Sequence, residues 1–235
     1  MKKVPNRLFL PMIYFLLIFL FIFLLKEFEI KKLILISSGK DIKGLNVFNR
    51  RNLLFLDTEK ISKMLLEQNK DIKTVKITKK FPHSIIIIPT ARIPKALIIY
   101  KNLNYLIDED GILLPKDNKS TTELPIIETV IVPYSSNNIT DWRINKALSY
   151  LAYGLKSGII IEKIIIDNQN DDYFISTKDG EKVIVPQIND SGYVIASLQI
   201  IISRFRIEGK FIKSIDYRVE KPIVLLKDEG KISSQ

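Results

Sequence analysis

The hydrophobic pattern of this chain changes period several times, and each change marks an element. Leu8–Leu25 reads LFLPMIYFLLIFLFIFLL, eighteen residues without a charge, close to the ~20 that cross a ~30 Å hydrocarbon layer as a helix. It is apolar on every face, unlike a helix lying on a globular core. Lys2, Lys3 and Arg7 precede it, whereas Lys26, Lys31 and Lys32 are mixed with Glu27 and Glu29 after it. The excess of positive charge on the first side predicts a cytoplasmic amino terminus and an exported remainder. The run ends in Leu24-Leu25-Lys26-Glu27-Phe28, with no small-residue site for signal peptidase, so a retained anchor is expected rather than a cleaved leader.

Beyond the anchor, Phe28–Ser37 alternates loosely and stops at Ser38-Gly39, a first strand. Leu45–Arg51 holds a short, poorly patterned helical stretch. Asp57 is placed to cap a helix with Ile61, Met64 and Leu65 on one face, ending near Asn69. Thr74–Lys80 alternates Val75 and Ile77 against Lys76, Thr78 and Lys80; Phe81-Pro82-His83 turns the chain into Ser84–Ile88, closed by Pro89. Strand, helical stretch and hairpin within one short segment make a compact α+β unit.

The second half is richer in strands. Leu97–Tyr100 and Tyr105–Asp108 flank Lys101-Asn102-Leu103-Asn104, and Asp108–Gly111 turns into Ile112–Leu114. Thr140 is expected to cap a helix carrying Ile144, Ala147, Leu148, Leu151 and Leu155 and broken at Gly154. Ile159–Ile166, Tyr173–Thr177 and Lys182–Val185 read as strands, the last two joined by Lys178-Asp179-Gly180. A second helix is expected over Ser191–Ile207, with Ile195, Leu198, Ile202 and Phe205 inward and Gly209 as its stop. The expected organisation is a cytoplasmic tail 1–7, a transmembrane helix 8–25, a small domain 28–98, a β-rich domain with two helices 99–228 and a tail 229–235.

Composition narrows the chemistry. With no cysteine and a single histidine, His83, the chain lacks thiolate and multi-imidazole metal sites and thiol nucleophiles. His83 follows Pro82 in a turn and reads as a solvated turn residue. Asp108-Glu109-Asp110 and Asn170-Asp171-Asp172 lack the alternate spacing and closing glutamate of a calcium loop. Trp142, the one tryptophan, reads as packing early in its helix. No catalytic, cofactor-binding or metal residue is assigned. The formal charge of +10 is spread along the chain without a nucleic-acid-binding motif; anionic lipid and wall polymer suit it better than nucleic acid.

Several segments resemble a known family. Asn52-Leu53 with Phe55-Leu56-Asp57, Val75–Pro82 and Arg92-Ile93-Pro94-Lys95-Ala96 look like the POTRA domain of FtsQ/DivIB cell-division proteins, with Ala91 where that family usually carries Glu. Tyr105–Gly111 resembles the opening of the family's β domain, and Leu124-Pro125-Ile126-Ile127 its following Leu-Pro motif. Lys213–Arg218 with Lys221–Leu225 is similar to the family's ending. The resemblance implies a non-enzymatic scaffold of the division septum, single-pass in the cell (inner) membrane. Its carboxy-terminal edge strand takes a strand from an FtsB/DivIC-like partner associated with an FtsL-like one, while the POTRA domain meets other divisome components. By that resemblance Tyr217, Arg218, Val219, Ile223, Val224 and Leu225 are the expected partner contacts; Ile215, Ile223 and Leu225 filling this chain's own core is the competing reading. A POTRA protein that hands polypeptides to an outer-membrane barrel is the alternative function, and such proteins carry several POTRA repeats or many barrel strands. A carboxylate-based envelope hydrolase ranks below it.

Overall fold

The computed structural model describes residues 6–36, 42–114, 124–131 and 141–227, with the side chains of 6–10 and of Leu24 outside that set. Contacts divide the chain into two units, Met1–Arg92 and Ile93–Gln235.

In the first unit, α1 (Asn6–Glu27) is a helix of 22 residues, about 33 Å at 1.5 Å per residue. Its side chains from Met12 to Phe23 are all exposed. Among the described residues no helix is long and apolar enough to cross a membrane; the unbroken described run inside α1 is only Pro11–Phe23. β1 (Lys32–Leu35), a 3-10 turn (Leu45–Phe48), α2 (Thr58–Gln68), β2 (Ile72–Lys80) and β3 (Ser84–Ala91) follow. The sheet order is β1-β3-β2, with β1 parallel and β2 antiparallel to β3. Asp57 caps α2 as expected, its carboxylate accepting from the amides of Glu59 and Lys60. Ile61 and Leu65 of α2 close a core with Phe48, Leu53, Ile85 and Ile87.

Pro89 does not end β3, which runs on to Ala91. β1 covers only Ser84–Ile87, so among the described residues the strand has by Pro89 a neighbour on one side alone, where a missing donor is tolerated.

The second unit contains β4 (Pro94–Tyr100), β5 (Leu103–Asp108), β6 (Leu113–Leu114), β7 (Ile126–Thr129), α3 (Trp142–Lys156), β8 (Ile161–Asp167), β9 (Asp172–Thr177), β10 (Lys182–Pro186), α4 (Ser191–Ile207), β11 (Ile212–Asp216) and β12 (Ile223–Leu226). Among the described residues nine strands form one sheet in the order β12-β11-β10-β9-β8-β7-β4-β5-β6. Because β4 pairs with β5 and β7, it belongs wholly to this unit, which begins at Ile93.

Register explains the core. Val224, Ile215, Val183, Ile175, Ile164, Ile127, Ile98 and Tyr105 are successive cross-strand partners, so they share one sheet face. Ile144, Ala147, Leu148 and Tyr150 of α3 and Val194, Ile195 and Leu198 of α4 pack into the same cluster. Two helices on one face of a largely antiparallel sheet is the α+β arrangement expected from the pattern.

Other details differ from the pattern. The cap of α3 is Asp141, whose carboxylate accepts from Arg143 N–H; Thr140 lies outside the described residues. α3 continues past Gly154 to Lys156. Trp142 is 58% exposed and lies beside the Arg143 guanidinium, 5.8 Å from ring to charge, so it does not pack in the core. The β4–β5 turn is two residues long, with positive φ at both Lys101 and Asn102, the geometry that matches the twist of a tight hairpin.

Candidate functional site: the closing edge strand

β11 and β12 form the border of the nine-stranded sheet. β11 runs parallel to β10 and antiparallel to β12. Among the described residues no strand pairs with the outer edge of β12. The Lys227 amide donates to Phe211 O at 2.8 Å. Backbone groups alternate sides along a strand, so the amides of Leu225 and Ile223 also face β11, and those of Val224 and Leu226 face outward.

Edge strands are ordinarily blunted by charge. The border strand β2 of the first unit follows that rule with Lys73, Lys76, Lys79 and Lys80, whereas β12 reads Ile-Val-Leu-Leu with no charge. Val224 ends the core row on the helix-covered face. Ile223 and Leu225 point to the other face and are 53% and 56% exposed.

The connection into β12 is held by one ion-pair cluster. Arg218 donates from its backbone amide and its guanidinium to Asp216, with the Nη2–Oδ2 bond at 2.6 Å. Its Nη1 stands 4.0 Å from Asp172, whose side chain is nearly buried. The side-chain hydrogen bond from Arg218 holds the Asp216 carboxyl below its ordinary value. Burial pushes Asp172 the other way, with the Arg218 charge opposing it.

The expected contact residues therefore occupy three settings. Tyr217 is buried: its amide donates to Ile184 O, continuing the β10 ladder, and its hydroxyl lies 3.1 Å from Ser197 Oγ on α4. Arg218 is half-exposed and engaged with Asp216, and Val219 is 48% exposed. Ile223, Val224 and Leu225 form the edge itself, and Leu226, absent from the expected set, is its fourth member. Extending the apolar run by one residue would have included it.

The remaining candidate chemistry resolves into structural roles. Asp108 Oδ1 accepts from the amides of Asp110 and Ile112, which makes that carboxylate a turn brace. Asp167 does the same for Gln169 and binds the Asn170 side chain. No group of three metal-donor side chains occurs among the described residues. His83 is half-buried rather than solvated; its Nδ1 is out of reach of water without a hydrogen-bond partner, and its carbonyl accepts from Lys31 and Lys32.

Residues 23–88 match the family model described as "POTRA domain, FtsQ-type". No curated protein matches the chain. The matched segment takes in the end of α1, both helical pieces and the β2–β3 hairpin up to Ile88. That family is one of non-enzymatic scaffolds that work with other division proteins. Over these residues the chain is similar to an FtsQ-type POTRA domain, and that match supports its likeness to FtsQ/DivIB proteins.

Proposed function

We propose that this chain is a division scaffold anchored by α1, with its amino terminus in the cytoplasm and everything beyond α1 outside. It captures an FtsB/DivIC-like chain, and through it an FtsL-like one, by accepting a strand on β12, and so helps localise and regulate septal peptidoglycan synthesis. The anchor reading is supported by the uncharged run Leu8–Leu25 inside a helix of 22 residues, flanked by Lys2, Lys3 and Arg7 on one side.

The observation that carries the binding reading is the outer edge of β12, uncharged and unpaired among the described residues. A partner strand laid there pairs with the outward groups of Val224 and Leu226 and covers Ile223 and Leu225. Val219 adds apolar surface beside it, while Tyr217 and the Arg218–Asp216 pair fix the loop that delivers the strand. The POTRA unit is assigned to contacts with further divisome components.

Two measurements test this. Co-purification of FtsB-like and FtsL-like chains with the full protein is expected, and depletion is expected to leave filaments that fail to constrict. Normal constriction without the protein, or no such chains in the complex, counts against the proposal.

A further inference from the structure

The end of α1 is tied to the POTRA unit without a free linker. Asn52 Nδ2 donates to Leu25 O at 2.6 Å, Leu53 N to Phe28 O at 2.7 Å and Ile30 N to Arg51 O at 2.9 Å. The amides of Lys31 and Lys32 both reach His83 O, and the Phe28 and Phe81 rings meet edge to face at 5.9 Å. The stretch 51–53 is thereby held at the last turn of the helix, and 81–83 at the segment that follows it, Phe28–Lys32.

Apolar side chains turned to solvent directly follow the first stretch and begin the second. In Leu53-Leu54-Phe55-Leu56 the outer two residues are buried, at 0% and 6% exposure, while Leu54 and Phe55 are 45% and 74% exposed. Phe81 is 57% exposed. Burial on both sides pins this short bend, so Leu54 and Phe55 are presented rather than loose. Successive Cα atoms are about 3.8 Å apart, which keeps Leu54 within about 7.6 Å of Asn52, the residue that caps Leu25. Beside them along the chain Arg50, Arg51 and Lys80 are exposed, and the segment they hold carries Lys26, Lys32 and Lys31, the last paired with Glu27, against Glu29 and the α2 cap Asp57. An exposed apolar group within a basic rim, fixed at the end of an anchor helix, matches the chemistry of a lipid interface with anionic headgroups.

We propose that Leu54, Phe55 and Phe81, ringed by Arg50, Arg51 and Lys80, rest on the anionic lipid surface beside α1. The proposal builds on the anchor reading: the helix sets the depth of the face, and the face sets the orientation of the POTRA unit above the bilayer.

The full chain is reconstituted in vesicles of phosphatidylcholine with phosphatidylglycerol, or of phosphatidylcholine alone, containing lipids brominated in the acyl chain. Trp142→Phe removes the one native tryptophan, and Phe55→Trp or Glu67→Trp supplies a single probe. Glu67 is exposed and about 15 Å along α2 from Asp57 at 1.5 Å per residue. Expected is flotation with the vesicles, bromolipid quenching several-fold stronger at Phe55→Trp than at Glu67→Trp, and weaker quenching with Arg50→Glu/Arg51→Glu or without the anionic lipid. A chain that floats but is quenched equally at both probes keeps the anchor and overturns the lipid contact, leaving the face to a protein partner. A chain that does not float brings down the anchor reading and this one together.

Discussion

Asp216 and Asp172 flank one guanidinium and respond to acid in opposite senses. Asp216, held below its ordinary 3.8 by Arg218, contributes stability that is fully present above that value and lost as the pH falls through its lower folded one. Asp172, raised chiefly by burial, costs stability at neutral pH, and that cost is relieved as the pH falls through its raised value. Urea midpoints at pH 7 and pH 3 separate them: Asp216→Asn is expected to lose less between the two pH values than the native chain, and an equal loss would refute the pairing. A second residue offers a cleaner contrast. Tyr150 is fully buried with no hydrogen-bond partner for its hydroxyl among the described residues, whereas the Tyr173 hydroxyl donates to Arg143 O at 3.0 Å. Tyr150→Phe should therefore be neutral or stabilising, and Tyr173→Phe should cost about 1 kcal/mol in a chemical denaturation series. Neither difference is visible in a sequence, where the two tyrosines look alike.

At the scale of elements, the helical stripes were legible because period and caps agree. α4 begins at Ser191 and ends at Ile207 as its pattern predicts, with Asp190 capping and Gly209 at φ 71° beyond it. Local pattern failed where a distant contact decides. Gly154 looked like a helix stop, yet a side chain there would meet Ile159 O at 2.9 Å: the glycine admits the returning backbone and the helix runs on. Gly154→Ala is expected to destabilise by about 1–3 kcal/mol, seen as a lowered unfolding midpoint. On β12 the side of each amide makes two proline substitutions unequal. Val224→Pro removes an outward donor and leaves the β11 ladder, so it should weaken strand capture at least about tenfold while the fold persists. Ile223→Pro breaks a ladder bond and should lower stability as well. Pull-down of the partner alongside circular dichroism distinguishes the two, and unchanged capture by Val224→Pro would exclude the outward edge.

For the whole molecule, the uncharged opening run, the α+β class and the POTRA hairpin followed from residues adjacent in sequence. The nine-strand order did not, because β4 reaches past β5 and β6 to β7, and β10 pairs with β11 across the whole of α4. Such pairings are set by the shared buried row, which only the register reveals. The same register shows why the candidate edge was partly readable: Ile223–Leu225 lacks charge in the sequence itself, but the inward burial of Tyr217 depends on Ser197 and Ile184, far from it along the chain. Amide hydrogen exchange across residues 222–227, in the full protein alone and with an FtsB-like chain bound, tests the central claim most directly. Slowed exchange at Val224 and Leu226 on binding is the predicted result; a bound complex in which those two amides exchange as fast as in the free protein would contradict it.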